Sequence, residues 1–400
     1  MRRFGRSRQI LPEVGLPGRG PKAVDLPKKL LVVSCSARML AQSAARAGIQ
    51  VVALDHYADA DTRGFSAHAQ PIPFHEGAFE PEALLDAACK LAPGKDFPLI
   101  YGSGLDSQPE LLETLARSHE VIGNSSAMQR LFRSPRSFFE LLRQCGIPYP
   151  EISYDRPKNE QDWLIKSGCS EGGKRVRSAA QDQPGPGDYY QRWVSGRTCS
   201  ALFLADGHTA KIIGFNTLWS TGFPLRPFLF AGAMSHVSLS EAQRQQLRDH
   251  IEALVKVSEI RGLNSLDFIV NHRNELKVLE VNARPSATMS LYDQDTPDGL
   301  LAAHIRACRG ELSVSLATSK VRAFHVCFAP TRVVSMPIAD WPPWCADLPV
   351  AGSIVEPGQP LCTILAEGND PVDVERLITQ NLSLLSATLS ARHPSNTNHS

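Results

Sequence analysis

Two short apolar runs with one helix between them constrain most what this chain can fold into. Leu30-Leu31-Val32-Val33 has the length and β-branched character of a strand, and Ile49 to Leu54 repeats it. Between the two runs, Met39, Leu40, Ala44 and Ala47 recur at helical spacing until Gly48 stops them. Strand, helix and strand within about 25 residues form a crossover unit, and strands joined that way are parallel. A parallel sheet is covered on both faces, which explains why these strands are continuously apolar rather than alternating. Phe97 to Tyr101 repeats the pattern, ending at Gly102-Ser103-Gly104 with a helix carrying Leu111, Leu112 and Leu115 behind it. Val121-Ile122-Gly123 reads as one more short strand. Residues 29–124 are therefore expected to form a doubly wound α/β domain.

The chain then changes character. One helix is expected from Ser125 to Cys145, ended by Gly146-Ile147-Pro148-Tyr149-Pro150. Trp163 to Lys166, Tyr189 to Val194, Ser200 to Leu204 and Lys211 to Phe215 read as strands, with a hairpin turn at Ala205 to His208. Ser240-Glu241-Ala242-Gln243 fits a capping box, and Leu247, Ile251, Leu254 and Val255 form the buried stripe behind it. Leu266 to Val270 and Leu276 to Val281 predict an antiparallel hairpin across Asn271 to Asn274. The remainder offers a helix near 298–308, a β-rich stretch and a terminal helix near 371–389. The expected organisation is a flexible basic leader at 1–28 and the α/β domain at 29–124. A second domain at 125–310 with a subdomain near 150–195, a β-rich extension at 311–389 and a frayed tail at 390–400 complete it.

Composition excludes several functions. Lys and Arg number 42 against 41 Asp and Glu, so no broad basic field is available for nucleic acid. No apolar run approaches the roughly 20 residues that span a bilayer, so no membrane partner is expected. Arg2 and Arg3 have no apolar segment behind them, which argues against a secretory signal. The 9 cysteines contain no CxxC pair and read as small buried thiols, which suits a cytoplasmic protein.

Three stretches could carry chemistry. In Gly262 to Pro285, strand alternation brings Glu280, Asn282 and, in an extended chain, Arg284 to one side, and Asp267 on the partner strand can face the same spot. Two carboxylates and an amide oxygen suit Mg²⁺ rather than zinc, and an adjacent arginine suits a phosphate or a developing oxyanion. The plainer reading is a solvated polar edge, with Arg284 bracing the hairpin through a carboxylate such as Glu280. In Trp163 to Lys174, Lys166 ends an apolar strand and a loop bearing Gly168, Gly172 and Gly173 follows it, as a phosphate clamp requires. It is not a Walker A loop, and a simple glycine turn looks the same. In Tyr190 to Gly196, an apolar strand precedes a polar loop whose backbone could meet a purine edge, or it is simply a core strand.

Taken in this order and spacing, the three stretches resemble the nucleotide- and magnesium-binding motifs of the ATP-grasp superfamily. Gln191-Arg192-Trp193-Val194-Ser195-Gly196 resembles the family's hinge motif. The 13-residue gap from Asp267 to Glu280 and the ExN step to Asn282 resemble its metal-ligand spacing. The resemblance covers most of residues 29–290. It implies an ATP-grasp fold, mixed α/β and α+β: an N-terminal Rossmann-like parallel α/β domain, a central lid subdomain and a C-terminal antiparallel lobe. It further implies that Lys166 contacts the α/β-phosphates, that the loop with Gly172 and Gly173 closes over the β/γ-phosphates, and that Gln191, Trp193 and Val194 border the adenine. Asp267, Glu280 and Asn282 would hold one or two Mg²⁺ (or Mn²⁺) ions, and Arg284 would act on the acyl phosphate and tetrahedral intermediate. ATP enters as a substrate.

This sequence departs from the family pattern in places. Arg133 and Arg136 stand where many members carry a second lysine. Thr198 replaces a ribose-binding carboxylate, and Ser265 replaces an arginine of dipeptide-forming relatives. Trp344 to Pro349 and Glu356 to Thr363 resemble the tail of carboligase-like ATP-grasp proteins distantly similar to biotin carboxylase, some of them linked to methylofuran or tetrahydromethanopterin coenzyme synthesis. The implied activity is ADP-forming ligation of a small-molecule carboxylate to an amine, in a protein that a homodimer would suit. The alternatives are a carboxylase-like ligase using bicarbonate and a non-catalytic nucleotide-binding module.

Overall fold

A computed structural model describes residues 24–168, 172–223, 226–316 and 320–392. The first sheet consists of β1 (Lys29–Ser34), β2 (Gln50–Asp55), β3 (His68–Pro71) and β4 (Leu99–Tyr101), ordered β3-β2-β1-β4 with every pairing parallel. Helices α1 (Arg38–Arg46), α2 (Ala60–Phe65), α3 (Pro81–Leu91) and α4 (Pro109–Leu115) connect and follow these strands. Alternate residues of β1 feed two different cores. Leu30 and Val32 pack with Leu40 and Ala44 of α1, whereas Leu31 and Val33 pack with Leu84 of α3 and Leu112 of α4. Instead of the strand expected at Val121–Gly123 there is a single bridge from Val121 to Leu99. Just beyond this bridge the side chain of Asn124 bonds Asn264 and the backbone of Arg261.

The single helix expected over 125–145 is two: α5 (Ser126–Arg133) and α6 (Pro135–Gln144). Pro135 lacks the N–H that would continue α5, and the residue before a proline is pushed out of the helical region. Ser134 accordingly sits at φ −81°, ψ 114° and caps α6 through the Ser137 N–H.

A small antiparallel sheet follows, made of β5 (Ile152–Ser153), β6 (Trp163–Ser167), β7 (Arg177–Ser178) and β8 (Asp188–Arg192), ordered β5-β8-β6-β7. It has its own minor core of Trp163, Ile165, Ala179 and Tyr190. The largest sheet has eight strands: β9 (Gly196–Asp206), β10 (Ala210–Ser220), β11 (Phe230–Met234), β12 (Arg261–Asn271), β13 (Leu276–Asn282), β14 (Val321–Phe328), β15 (Cys345–Ala346) and β16 (Pro360–Gly368). Their order is β13-β12-β9-β10-β11-β14-β16-β15, antiparallel throughout. Between β11 and β12, α7 (Glu241–Ser258) carries the expected capping box between Ser240 and Gln243 and packs Leu247, Ile251 and Leu254 beneath β12 and β13. Helix α8 (Gly299–Cys308) joins α1 between the parallel and the large sheet, and α9 (Pro371–Arg392) covers β14 and β16. Among the described residues no helix is long and apolar enough to cross a membrane. Most of the expected leader (1–23) and of the frayed tail (393–400) lie outside the described residues.

Candidate active site

A cleft of about 660 Å³ opens between the small sheet and the large one, and its walls follow from strand alternation. On β6, Trp163 and Ile165 point into the small core, which leaves Leu164 and Lys166 lining the cleft. On β8, Tyr190 joins that core, while Tyr189 and Gln191 line the cleft. On β12, Leu266, Phe268 and Val270 pack over α7, and Ser265, Asp267 and Ile269 face the opening.

Asp267 lies directly opposite Glu280 and Ser265 opposite Asn282, with Glu280 and Asn282 also lining the cleft. A bulge between Asp267 and Phe268 leaves Leu279 of β13 without an opposite number, which sets Glu280 against Asp267. Burial pushes the Asp267 carboxyl well above the ordinary carboxylate range, and the charge of Glu280 adds to the rise. Like charges placed opposite each other in a sheet are destabilising, so this pair is built to share a proton or a cation. The donor set fits a hard cation: two carboxylates and one amide oxygen suit Mg²⁺, which keeps some waters and takes further oxygens from substrate phosphates. Among the described residues no cluster of three or more His, Cys, Asp and Glu could hold a metal.

Lys166 is half-buried on the opposite wall. Burial lowers its pKa, but Tyr189, Glu280 and Asp267 outweigh that effect and leave it raised, so it is a cation at neutral pH. Gly172 and Gly173 adopt φ values of +58° and +70°. Gly172 accepts a hydrogen bond from Phe230 N at 2.8 Å, and a Cβ on Gly173 would come within 1.9 Å of the Phe228 carbonyl oxygen. The loop therefore lies against the segment entering β11. Residues 169–171 of that loop lie outside the described residues.

At the hinge, Gln191 is buried, and its Nε2 has no hydrogen-bond partner among the described residues. An orphaned amide facing a cleft is costly unless a ligand completes it. Trp193 and Val194 line the same end. The Trp193 N–H already donates to the Asp162 carbonyl at 2.8 Å, so it is not available to a purine. Any purine contact at this end would fall to the carbonyl of Trp193 and the backbone of Val194. Thr198 and Ser265 both line the cleft, and of the two candidate arginines only Arg133 does so. Arg136 instead lies over the Tyr154 ring at 4.1 Å.

Arg284 follows β13 as expected and lines the cleft. Its Nε bonds Asp106 Oδ2 at 2.8 Å, and Arg133 pairs with the same carboxylate. Sequence reasoning missed Asp106. The available signal was its place just beyond β4, because ligands of open parallel sheets collect outside the carboxyl ends of the strands.

Residues 136–288 match the ATP-grasp domain. No curated protein matches the chain. Among solved structures, the Campylobacter jejuni biotin carboxylase is 12% identical with a TM-score of 0.69, over 88% of this chain and 90% of that one. The biotin carboxylase domain of Hydrogenobacter thermophilus 2-oxoglutarate carboxylase, a dimer solved with MgADP and bicarbonate, is 14% identical with a TM-score of 0.65, over 88% and 89%. An N5-carboxyaminoimidazole synthase from Aspergillus clavatus, solved with ADP and its aminoimidazole ribonucleotide, is 15% identical with a TM-score of 0.64, over 90% and 100%. The chain thus carries an ATP-grasp domain and has the ATP-grasp fold over most of its length. In fold it is similar to biotin carboxylase and related ATP-grasp ligases.

Proposed function

We propose that this chain is an ADP-forming ligase that joins a small-molecule carboxylate to an amine through an acyl phosphate. The observation that carries the reading is one cleft lined by Lys166, the facing Asp267–Glu280 pair, Asn282 and Arg284, under a glycine-bearing loop. Lys166 and the loop backbone hold the phosphates, and Gln191, Trp193 and Val194 border the adenine. Asp267, Glu280 and Asn282 would hold one or two Mg²⁺ ions, which would neutralise phosphate charge. A carboxylate oxygen attacks the γ-phosphorus and ADP leaves. The amine nitrogen then attacks the acyl carbon, the C–N bond forms, phosphate departs with the C–O electrons, and the amine loses a proton. Arg284 meets the oxyanion of that second step, where planar donors matter most. The loop excludes water, which would hydrolyse the acyl phosphate.

A second reading puts bicarbonate in place of the organic carboxylate, and the carboxylases among the structural neighbours favour it. One assay separates the two: ADP release from MgATP across panels of carboxylates and amines, with bicarbonate present or removed. Release that needs both an organic carboxylate and an amine supports the ligase, and release that needs bicarbonate supports the carboxylase. ATP binding with no acceptor-stimulated release leaves only a nucleotide-binding module. A role in coenzyme synthesis rests on residues 344–363 alone, and loss of a coenzyme pool on gene deletion tests it.

A further inference from the structure

We infer that Asp106 is a positioning residue for the transfer step: from the carboxyl edge of the parallel sheet it holds Arg284 and Arg133 in place at the cleft. The inference rests on the ligase reading for its chemistry and on the geometry for its placement. Asp106 lies in the turn Leu105–Ser107 that follows β4, and it is fully buried. Its Oδ1 accepts from Gly104 N at 3.1 Å, which orients the carboxylate. Its Oδ2 accepts from Arg284 Nε at 2.8 Å, and Arg133, at the end of α5, pairs with it as well. A carboxylate is buried this completely only when cations pair with it, and here both partners line the cleft.

The backbone beside Arg284 is fixed by the same neighbourhood. The Ala283 carbonyl, between Asn282 and Arg284, accepts from Asn124 Nδ2 at 3.0 Å and from Gln129 Nε2 at 2.8 Å. Gln129 in turn bonds the hydroxyl of Tyr101, the last residue of β4. Main chain and guanidinium plane of Arg284 are therefore both set from the parallel sheet. A long side chain held this way reaches the transition state without first losing its rotamer freedom, and a displacement near 1 Å can cost about a hundredfold in rate.

The test compares the full-length wild type with Asp106→Asn, Arg284→Lys and the double variant. It measures acceptor-dependent ADP release, ATP affinity by calorimetry and melting temperature. Asp106→Asn should lower kcat about tenfold or more with ATP affinity within about twofold, since misplacement acts on the transition state. In the Arg284→Lys background the same change should cost less than about threefold, because Asp106 acts through Arg284. Losses that multiply, or Asp106→Asn turning over within about twofold of wild type, overturn the proposal. Selective ¹⁵N-arginine labelling gives an independent readout that needs no turnover. The Arg284 Nε–H signal, identified by its loss in Arg284→Lys, should be protected from solvent exchange in the wild type. Rapid exchange of that proton overturns the pairing. If the wild type releases no ADP with any acceptor while the Nε–H is protected, the ligase reading fails and the positioning stands.

Discussion

The parallel sheet and the large antiparallel sheet use their side chains in opposite ways. In β1, Leu30 and Val32 serve one core and Leu31 and Val33 the other, so no residue along the strand is left for chemistry. In β12, one face packs over α7 while Ser265 and Asp267 on the other line a cleft. A strand buried on both faces can contribute function only where it ends, as β4 does through Asp106. A strand buried on one face can present side chains along its length, as β12 and β13 do by lining the cleft with Asp267, Glu280 and Asn282.

Substitutions on the two sheets should accordingly separate turnover from stability. The largest effect belongs to Glu280→Gln, which removes a proposed metal ligand and relieves the like-charge contact with Asp267. Turnover at saturating MgATP should fall by about a thousandfold or more, while denaturant unfolding stays cooperative at or above wild-type stability. Near-normal activity at millimolar Mg²⁺ would remove Glu280 from the site. Leu31→Ala should do the reverse. Deleting a fully buried side chain costs about 2–5 kcal/mol, visible as a lower urea midpoint, and activity per folded molecule should stay within about twofold. If both variants lose stability and activity together, the division between the sheets fails. Smaller still is Gly173→Ala. A Cβ at φ +70° is strained, and it meets the Phe228 carbonyl, so the loop must move off its seat. The KM for ATP should rise about tenfold with little change in melting temperature, a difference of about 1.4 kcal/mol.

What could be read from the sequence divides along the same line. The crossover from β1 to β2 and the hairpin of β12 and β13 depend on neighbours a few residues apart, and periodicity reports such neighbours directly. The shared face of Glu280 and Asn282 followed from alternation, and the bulge at Leu279 falls before Glu280 and so left that face intact. The break at Pro135 was also local, but the apolar stripe running through Phe132 and Phe138 masked it. Contacts between distant segments had no such signal. Nothing in Val321–Phe328 indicates that it pairs with Phe230–Met234, or that Asp106 meets an arginine 178 residues further on. The hinge fell between these cases. Its strand was readable, but the use of the Trp193 N–H by Asp162 was not.

The smallest expected effect on turnover lies at the parallel sheet's edge, where Asp55 and Asp59 hold backbone N–H groups. Asp55 accepts from the backbone N–H groups of Ala37 and Ala58, and Asp59 caps α2 through Thr62 N at 2.7 Å. Arg38 bonds Asp347 at 2.6 Å beside them. Burial raises the Asp59 carboxyl to about 7, with the charge of Asp347 adding to it, against about 3.9 in an unfolded chain. The folded state therefore holds this proton more tightly, and its contribution to stability is complete below about pH 4 and is lost as pH rises to about 7. Asp59→Asn keeps an oxygen to cap α2 and has nothing to ionise. Above pH 7 it should be more stable than wild type by up to about 4 kcal/mol, and near pH 4 the two should melt together. Asp55, raised to about 6 mainly by burial, leaves the variant some of the same slope. Melting temperatures followed from pH 4 to pH 8 should thus diverge as pH rises, with activity unchanged. Parallel curves would mean that Asp59 ionises as freely when folded as when unfolded. A loss of turnover would mean that this edge, like the end of β4, belongs to the site.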